Sequence, residues 1–281
     1  MAARWWRFVR RLFEEIGRDQ LPLAAAGIAF FALLALVPAL IALISVYALV
    51  TDPQNVRDQL QPLLSAIPGS AGGLVNRQLK SVTALGSGGL TFGLVASVFV
   101  VLSSTSTAMS AVISGLNRAF NEQETRGFLR VRALALLLTL GALVVAAVSL
   151  GALAVLPIVL NLLRVPGDTL WIVDTARWGG LVLLLGGAIS VLYRFGPDRE
   201  HTRRRWFSWG VFTALALWLA GSAAFAVYVE NFSRYEATYG TLAALVVLLL
   251  WLYLSAFAVL VGAEVDSVRA ERRAAPPGPR E

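Results

Sequence analysis

The 281-residue sequence contains no cysteine and a single histidine, His201. The absence of cysteine excludes a disulfide framework and a thiolate metal site. One histidine also cannot supply the clusters that usually bind zinc or copper. Charged residues make up only 15% of the chain, against about 25% in an average soluble domain. We therefore predict no metal and no cofactor, and a chain adapted to apolar surroundings.

Apolar residues make up 57% of the sequence and are gathered in long runs. A run of about eighteen or more apolar residues is long enough to cross the hydrocarbon core of a bilayer as a helix. The sequence therefore predicts an all-α, polytopic membrane protein with six transmembrane helices. The six predicted spans are Leu23–Val50, Leu90–Ser114, Ala133–Leu163, Trp178–Phe195, Trp209–Val229 and Thr241–Val265.

The basic residues alternate between the two sides of these spans. Of 24 lysines and arginines, 18 lie in the N-terminal segment, the loops after spans two and four, and the C-terminal tail; the other three loops hold six. Because loops rich in Lys and Arg stay in the cytoplasm, both termini are predicted to be cytoplasmic. The net charge of +7 then reflects topology, so we predict anionic lipid headgroups as partners of the arginine clusters, and no nucleic acid.

The chain is predicted to have three parts. Residues 1–21 form a cytoplasmic, interfacial amphipathic segment, which either lies on the membrane surface or packs beneath the bundle. Residues 22–266 form the transmembrane domain, with an outer amphipathic helical hairpin at residues 51–89. Residues 267–281 form a disordered cytoplasmic tail.

Several polar groups within the spans are candidates for a substrate path. Ser103, Thr107, Ser110 and Ser114 follow helical spacing and share one face of span two. They either line a hydrated cavity or allow close helix packing, with their hydroxyls bonded back to their own helix. Pro38 removes a backbone donor in span one and is expected to kink it, as in broken transporter helices.

The last span carries a carboxylate, Glu264, near its cytoplasmic end. It is expected to pair with an arginine, for which Arg118 is one candidate, or to face water. Its functional alternative is a gate or a proton site. Trp251 and Tyr253 lie within the same span and need partners for their N–H and O–H groups. The hydroxyl face of span two is one hypothesis for those partners.

The stretch YVENFSRYEATYG, residues 228–240, separates spans five and six. We predict an extracytoplasmic turn whose tyrosines anchor it in the interface, with a binding loop as the alternative. No nucleophile with an adjacent base is recognisable there, so the sequence predicts no catalytic residue and no enzyme.

Four blocks of the sequence carry a family resemblance: LAAAGIAFFALLALVPAL, GLNRAFNEQETRGFLRVR, LYRFGPD and NFSRYEATYGTLAALVVLLLWLYLSAFAVLVGAE. Over about residues 20–270 the chain resembles the YihY/BrkB family of bacterial inner-membrane proteins, historically labelled ribonuclease BN. The matching motif positions are Asn117, Arg118, Tyr193, Asn231, Tyr235, Tyr239, Gly240, Trp251, Tyr253 and Glu264. Asp266 departs from the pattern, since the family's asparagine is expected there.

The resemblance implies a bacterial inner membrane location, six spans and an association with virulence. It does not imply an activity, and ribonuclease chemistry is not expected, because metal-dependent hydrolysis needs clustered acids or histidines and the acids here are scattered along the sequence. We expect transport or translocation of a solute, lipid or envelope precursor. The alternative is a non-catalytic membrane scaffold that docks envelope partner proteins or a second copy of the chain.

Overall fold

The computed structural model describes residues 2–50, 92–162, 167–199, 208–239 and 241–274. Within these residues the chain is entirely helical, with seven helices and no strand, which confirms the all-α prediction. The helices are α1 (Ala2–Arg18), α2 (Leu21–Val50), α3 (Phe92–Ala119), α4 (Phe128–Leu162), α5 (Gly167–Phe195), α6 (Trp209–Tyr239) and α7 (Thr241–Ala274).

The chain divides into two compact units. The first comprises Met1–Leu33 and Ala108–Glu281, and the second comprises Leu34–Thr107. The predicted outer hairpin at residues 51–89 lies outside the described residues.

Four helical stretches are long and apolar enough to cross a membrane: Phe128–Leu153, Val173–Phe195, Trp209–Glu230 and Ala244–Arg272. Only 17–22% of the residues in their most apolar windows are buried within the protein, so most of their side chains face outward, as a lipid environment favours. The bent pair Trp6–Arg18 and Leu21–Leu36 would make a fifth span. The predicted spans one and two lie partly outside the residues with described side chains, so the total of six stays a prediction.

The hydrophobic core of the first unit lies at one end of its helices, which we call the packed end. Helices α2 and α6 begin there, and α3, α5 and α7 finish there, so successive helices alternate in direction. The first turns of α4 join the same region by packing against the last part of α3. The core consists of Leu21, Ala25, Ile28, Leu116, Ala119, Phe120, Ile189, Tyr193, Val211, Ala214, Leu260 and Ala263.

Two glycines allow the backbones of α6 and α7 to come close at the packed end. A Cβ placed on Gly262 would lie 2.5 Å from the Gly210 carbonyl oxygen and 2.5 Å from the Tyr193 hydroxyl. Such distances are too short for any side chain, so only glycine fits. The contact holds the start of α6 against the final turns of α7.

Two sequence predictions about helix ends are wrong. The stretch predicted as a turn, residues 228–240, is helical up to Tyr239, and α7 starts at Thr241. Residues 228–239 contain neither Pro nor Gly, so α6 can continue after its apolar run ends. The tail predicted to be disordered from residue 267 continues as α7 to Ala274, and Val268 is buried.

Substituting Gly262→Ala is expected to lower the free energy of unfolding by about 1–3 kcal/mol, because the new methyl group would overpack the contact between α6 and α7. Thermal or denaturant unfolding in detergent would measure the change. Gly221→Ala is the matched control, since a Cβ there meets nothing within 4 Å. Equal stability of the two variants would contradict the close approach.

Candidate functional site: an acid cluster at the packed end

Helix α1 packs against the end of α7. The guanidinium groups of Arg269 and Arg272 lie 5.8 and 4.9 Å from the centre of the Phe8 ring, and Arg11 forms an ion pair with Glu271. The N-terminal segment therefore packs against α7, while its predicted position at the membrane surface stays a prediction.

The opposite face of α1 stays open. Trp6 and Phe13, seven residues apart, are 68% and 69% exposed. An exposed aromatic face on an arginine-rich helix is typical of a helix that touches the membrane interface. The exposed aromatic side chains therefore lie on a different face of α1 from the one that packs against α7.

A sharp bend joins α1 to α2. Gln20 has a φ of 52°, a left-handed conformation that ends helices, and the Gln20 N–H donates to the Gly17 carbonyl at 3.2 Å. The two helices meet at 55°. The bend directs the end of α1 toward α7.

Three carboxylates meet beside this bend. Glu15, Asp19 and Glu264 each contribute one oxygen, and these oxygens all lie within 4.8 Å of one another. Glu264 is completely buried, and Glu15 is 9% exposed. We call these three residues the acid cluster.

Arginines partly neutralise the acid cluster. The Arg18 guanidinium lies 2.6 Å from Glu15 Oε2 and 3.4 Å from Asp19 Oδ1, and the Arg11 guanidinium lies 3.9 Å from Glu15 Oε1. Both oxygens of Glu264 lack a hydrogen-bond partner among the described residues. A buried carboxylate without a partner is costly, so its position calls for an explanation beyond packing.

The expectations for Glu264 are corrected by this arrangement. It does not face water, and no ion pair joins it to Arg118 in the described part of the chain, where Arg118 is exposed. The expectation that the acids are scattered is also wrong, because folding brings three of them together. The only sequence signal was the i, i+4 spacing of Glu15, on α1, and Asp19, just after its end. Their contact with Glu264 is tertiary.

A second polar group, which we call the loop clasp, joins the loop after α3 to the residues after α5. It consists of Asn117, Glu124, Thr125, Arg126 and Asp198. Asn117 Nδ2 donates to Glu124 Oε2 at 2.9 Å, and its Oδ1 accepts from the Asp198 backbone N–H at 2.9 Å. The Thr125 hydroxyl donates to Asp198 Oδ2 at 2.6 Å, and Arg126 Nη2 donates to the Gly196 carbonyl at 2.8 Å.

The clasp stabilises the ionised form of its acids. The hydrogen bond from Arg126 holds the pKa of Glu124 below its ordinary value. The hydrogen bonds from the Thr125 side chain and backbone hold the pKa of Asp198 below its ordinary value. Asn117, a motif residue, therefore links the loop after α3 to the residues after α5.

Two further positions hold α5 and α6 against α7. The Tyr193 hydroxyl donates to the Val259 carbonyl. Asp266 Oδ1 accepts from the Gly210 backbone N–H at 2.8 Å and so satisfies an otherwise unpaired donor in the first turn of α6. An asparagine could accept the same bond, which explains how either residue type suits this position.

The remaining candidates are not brought into one site. Thr107 and Ser110 are half-buried and Ser114 is exposed, whereas Ser106, which sequence reasoning left out, is the most buried hydroxyl among the described side chains of α3. The Trp251 ring packs edge-on against Trp218, with 6.3 Å between ring centres. Tyr253 stacks on Phe257. The side chains of Pro38, Ser103, Asn231, Tyr235 and Tyr239, and all of Gly240, lie outside the described residues.

Long apolar helices with outward-facing side chains define a polytopic α-helical membrane protein, and the described core of its first unit lies at one end of these helices. The family described as "Virulence factor BrkB" matches residues 12–281. The chain belongs to this family, which confirms the resemblance seen in the sequence.

Three relatives show the range of similarity. The chain is 29% identical to the "Putative ribonuclease-like protein YfkH" of Bacillus subtilis, over 96% of this chain and 97% of that protein. It is 27% identical to a "UPF0761 membrane protein" of Vibrio vulnificus, over 94% of this chain and 83% of that protein. It is also 27% identical to one of Psychrobacter, over 93% of this chain but only 48% of that longer protein. No solved structure matches the chain.

Acidification is expected to weaken the loop clasp. Because the folded-state pKa values of Glu124 and Asp198 lie below their ordinary values of 4.5 and 3.8, their stabilisation is complete above those values and is lost as pH falls through the lower folded-state values. Asp198→Asn should therefore show a smaller fall in Tm than the unsubstituted protein between about pH 6 and about pH 3.

The matched control for that measurement is Asp174→Asn, which removes an exposed carboxylate whose ion pair with Arg177 joins residues of the same helix. An unchanged pH dependence in Asp198→Asn, or an equal change in both variants, would contradict the role assigned to the clasp.

Proposed function

We propose that the protein spans the bacterial inner membrane six times, with both termini in the cytoplasm, and transports or translocates a solute, a lipid or an envelope precursor. The alternating directions of α2 to α7 at the packed end support the six-span topology. The arginine-rich segments support placing the packed end on the cytoplasmic side, since the segments before α2, after α3 and after α5 adjoin it.

One observation carries the transport proposal: the unpartnered, completely buried carboxylate of Glu264 in the last apolar helix. Ionisable residues within membrane helices are rare because they are costly, and they usually mark substrate or ion pathways. A purely structural role would be expected to show a hydrogen-bonded partner. The acid cluster is therefore the best candidate for the point at which the protein handles an ion or substrate.

A scaffold is the second candidate function, and the exposed aromatic face of α1 favours it. Trp6 and Phe13 offer an apolar surface on a helix that carries several arginines, and such a surface suits anionic lipids, an envelope protein or a second copy of the chain.

An enzymatic function is not proposed. The name of the Bacillus relative refers to ribonuclease-like character. The acid cluster, however, lies buried between the end of α1 and α7. An RNA phosphate would have to reach metal-bound carboxylates, and the packing of α1 against α7 covers them. The proposed function is therefore non-catalytic.

The topology can be tested by labelling single introduced cysteines, because the chain has none of its own. In spheroplasts, Ala66→Cys and Arg234→Cys should react with a membrane-impermeant maleimide, and His201→Cys should react only after the membrane is permeabilised. Labelling of position 201 from outside, or opposite behaviour of positions 66 and 234, would refute the six-span topology.

Transport can be tested in proteoliposomes that contain the full chain. We expect movement of a fluorescent lipid or of a trapped solute, with Glu264→Gln lowering the initial rate by about tenfold or more if the buried carboxylate lies on the path. Glu14→Gln is the matched control, since Glu14 is an exposed acid of α1 paired with Arg10. No movement of any tested class, together with stable co-purification of a partner protein, would favour the scaffold.

A further inference from the structure

We propose that Glu15, Asp19 and Glu264 form a binding site for a hard divalent cation, of the class that includes Mg²⁺ and Mn²⁺. The site lies between the end of α1 and the final part of α7, beside the bend that leads into α2. The proposal uses the same buried Glu264 that carries the transport proposal, but it does not require transport, because such a site can exist in a transporter or in a scaffold.

The geometry of the acid cluster suits such a cation. Hard divalent cations bind oxygen ligands at about 2.0–2.6 Å, so two ligand oxygens of one ion lie no more than about 5 Å apart. The three carboxylates each offer an oxygen within 4.8 Å of the other two. One ion can therefore contact all three, and carboxylate oxygens are the ligands that this class of metal prefers.

The unsatisfied oxygens point to a ligand more strongly than the acidity itself. Four buried oxygens of the cluster make no hydrogen bond among the described residues: Glu15 Oε2, Asp19 Oδ2 and both oxygens of Glu264. Glu15 Oε2 has the Arg18 guanidinium beside it, whereas Glu264 has no ion pair within the part of the chain that the structure describes. A single proton supplies one donor, while one cation can satisfy oxygens from all three side chains.

The charge balance leads to the same ligand. Arg18 lies within ion-pair distance of both Glu15 and Asp19, and the closer ion pair of Arg11 is with Glu271. Three carboxylates confined to one buried volume repel one another strongly. A divalent ion would offset the excess negative charge of the acid cluster and would also connect α1 to α7. Its binding is therefore expected to stabilise the docked position of α1.

Mn²⁺ binding to the purified full chain in lipid nanodiscs tests the site. Electron paramagnetic resonance measures free Mn²⁺ directly, and added Mg²⁺ should release the bound ion. The unsubstituted protein and the Glu14→Gln control are expected to bind one Mn²⁺. Glu264→Gln and Asp19→Asn should each bind it at least about tenfold more weakly.

A stability measurement provides the second readout. A chelator should lower the Tm of the unsubstituted protein and of Glu14→Gln, and it should leave the Tm of Glu264→Gln unchanged. Glu264→Gln also removes one of three repelling charges, so in the absence of metal it should be at least as stable as the unsubstituted protein. If Glu264→Gln fails to yield monodisperse protein, Asp19→Asn decides the question by the same two measurements.

Two results would overturn the cation site. One is the absence of saturable Mn²⁺ binding to the unsubstituted protein, and the other is equal affinity in the cluster variants and in Glu14→Gln. If Glu264→Gln or Asp19→Asn loses Mn²⁺ binding but still moves lipid or solute at an unchanged rate, the cation site is supported and is separate from transport. Mn²⁺ binding in a protein that moves no tested substrate would support the site and count against the proposed function.

Discussion

The close approach of α6 and α7 is the contact on which the packed end depends. Gly210 and Gly262 bring the two backbones together without intervening side chains. This contact places Asp266 next to the first turn of α6. It also lets the Tyr193 hydroxyl reach a carbonyl of α7. Glu264, two residues after Gly262, lies on the opposite face of α7. That face meets the end of α1, so the burial of Glu264 follows from the packing of α1 on α7.

The concentration of packing at one end has a functional meaning. Among the described side chains, the buried hydrophobic cluster lies where α2 and α6 begin and where α3, α5 and α7 finish, and many large apolar side chains elsewhere on these helices are exposed. In a bilayer, lipid tails replace the missing protein contacts, so such a helix bundle can be rigid at one end and adaptable at the other. Rigidity at the end that carries the polar clusters is what a defined ion or substrate site requires.

The sequence predicted the parts of the fold that depend on local composition. The predicted starts at Trp209 and Thr241 and the predicted end at Phe195 coincide with helix ends in the structure. The predicted end at Val229 is wrong because apolarity decides what enters the bilayer, while helix formation also depends on propensity, which remains adequate up to Tyr239. The acid cluster could not be predicted, because Glu15 and Glu264 lie at opposite ends of the sequence and only packing of α1 on α7 brings them together.

Arg18 connects the acid cluster to the loop after α3. Its guanidinium lies between Glu15 and Asp19, and its Nη2 also donates to Asn121 Oδ1 at 3.3 Å. Asn121 follows the end of α3, four residues after Asn117 of the clasp, and has a φ of 54°. Any ligand that competes with Arg18 for the carboxylates would therefore change the partners of an arginine that also holds the loop after α3.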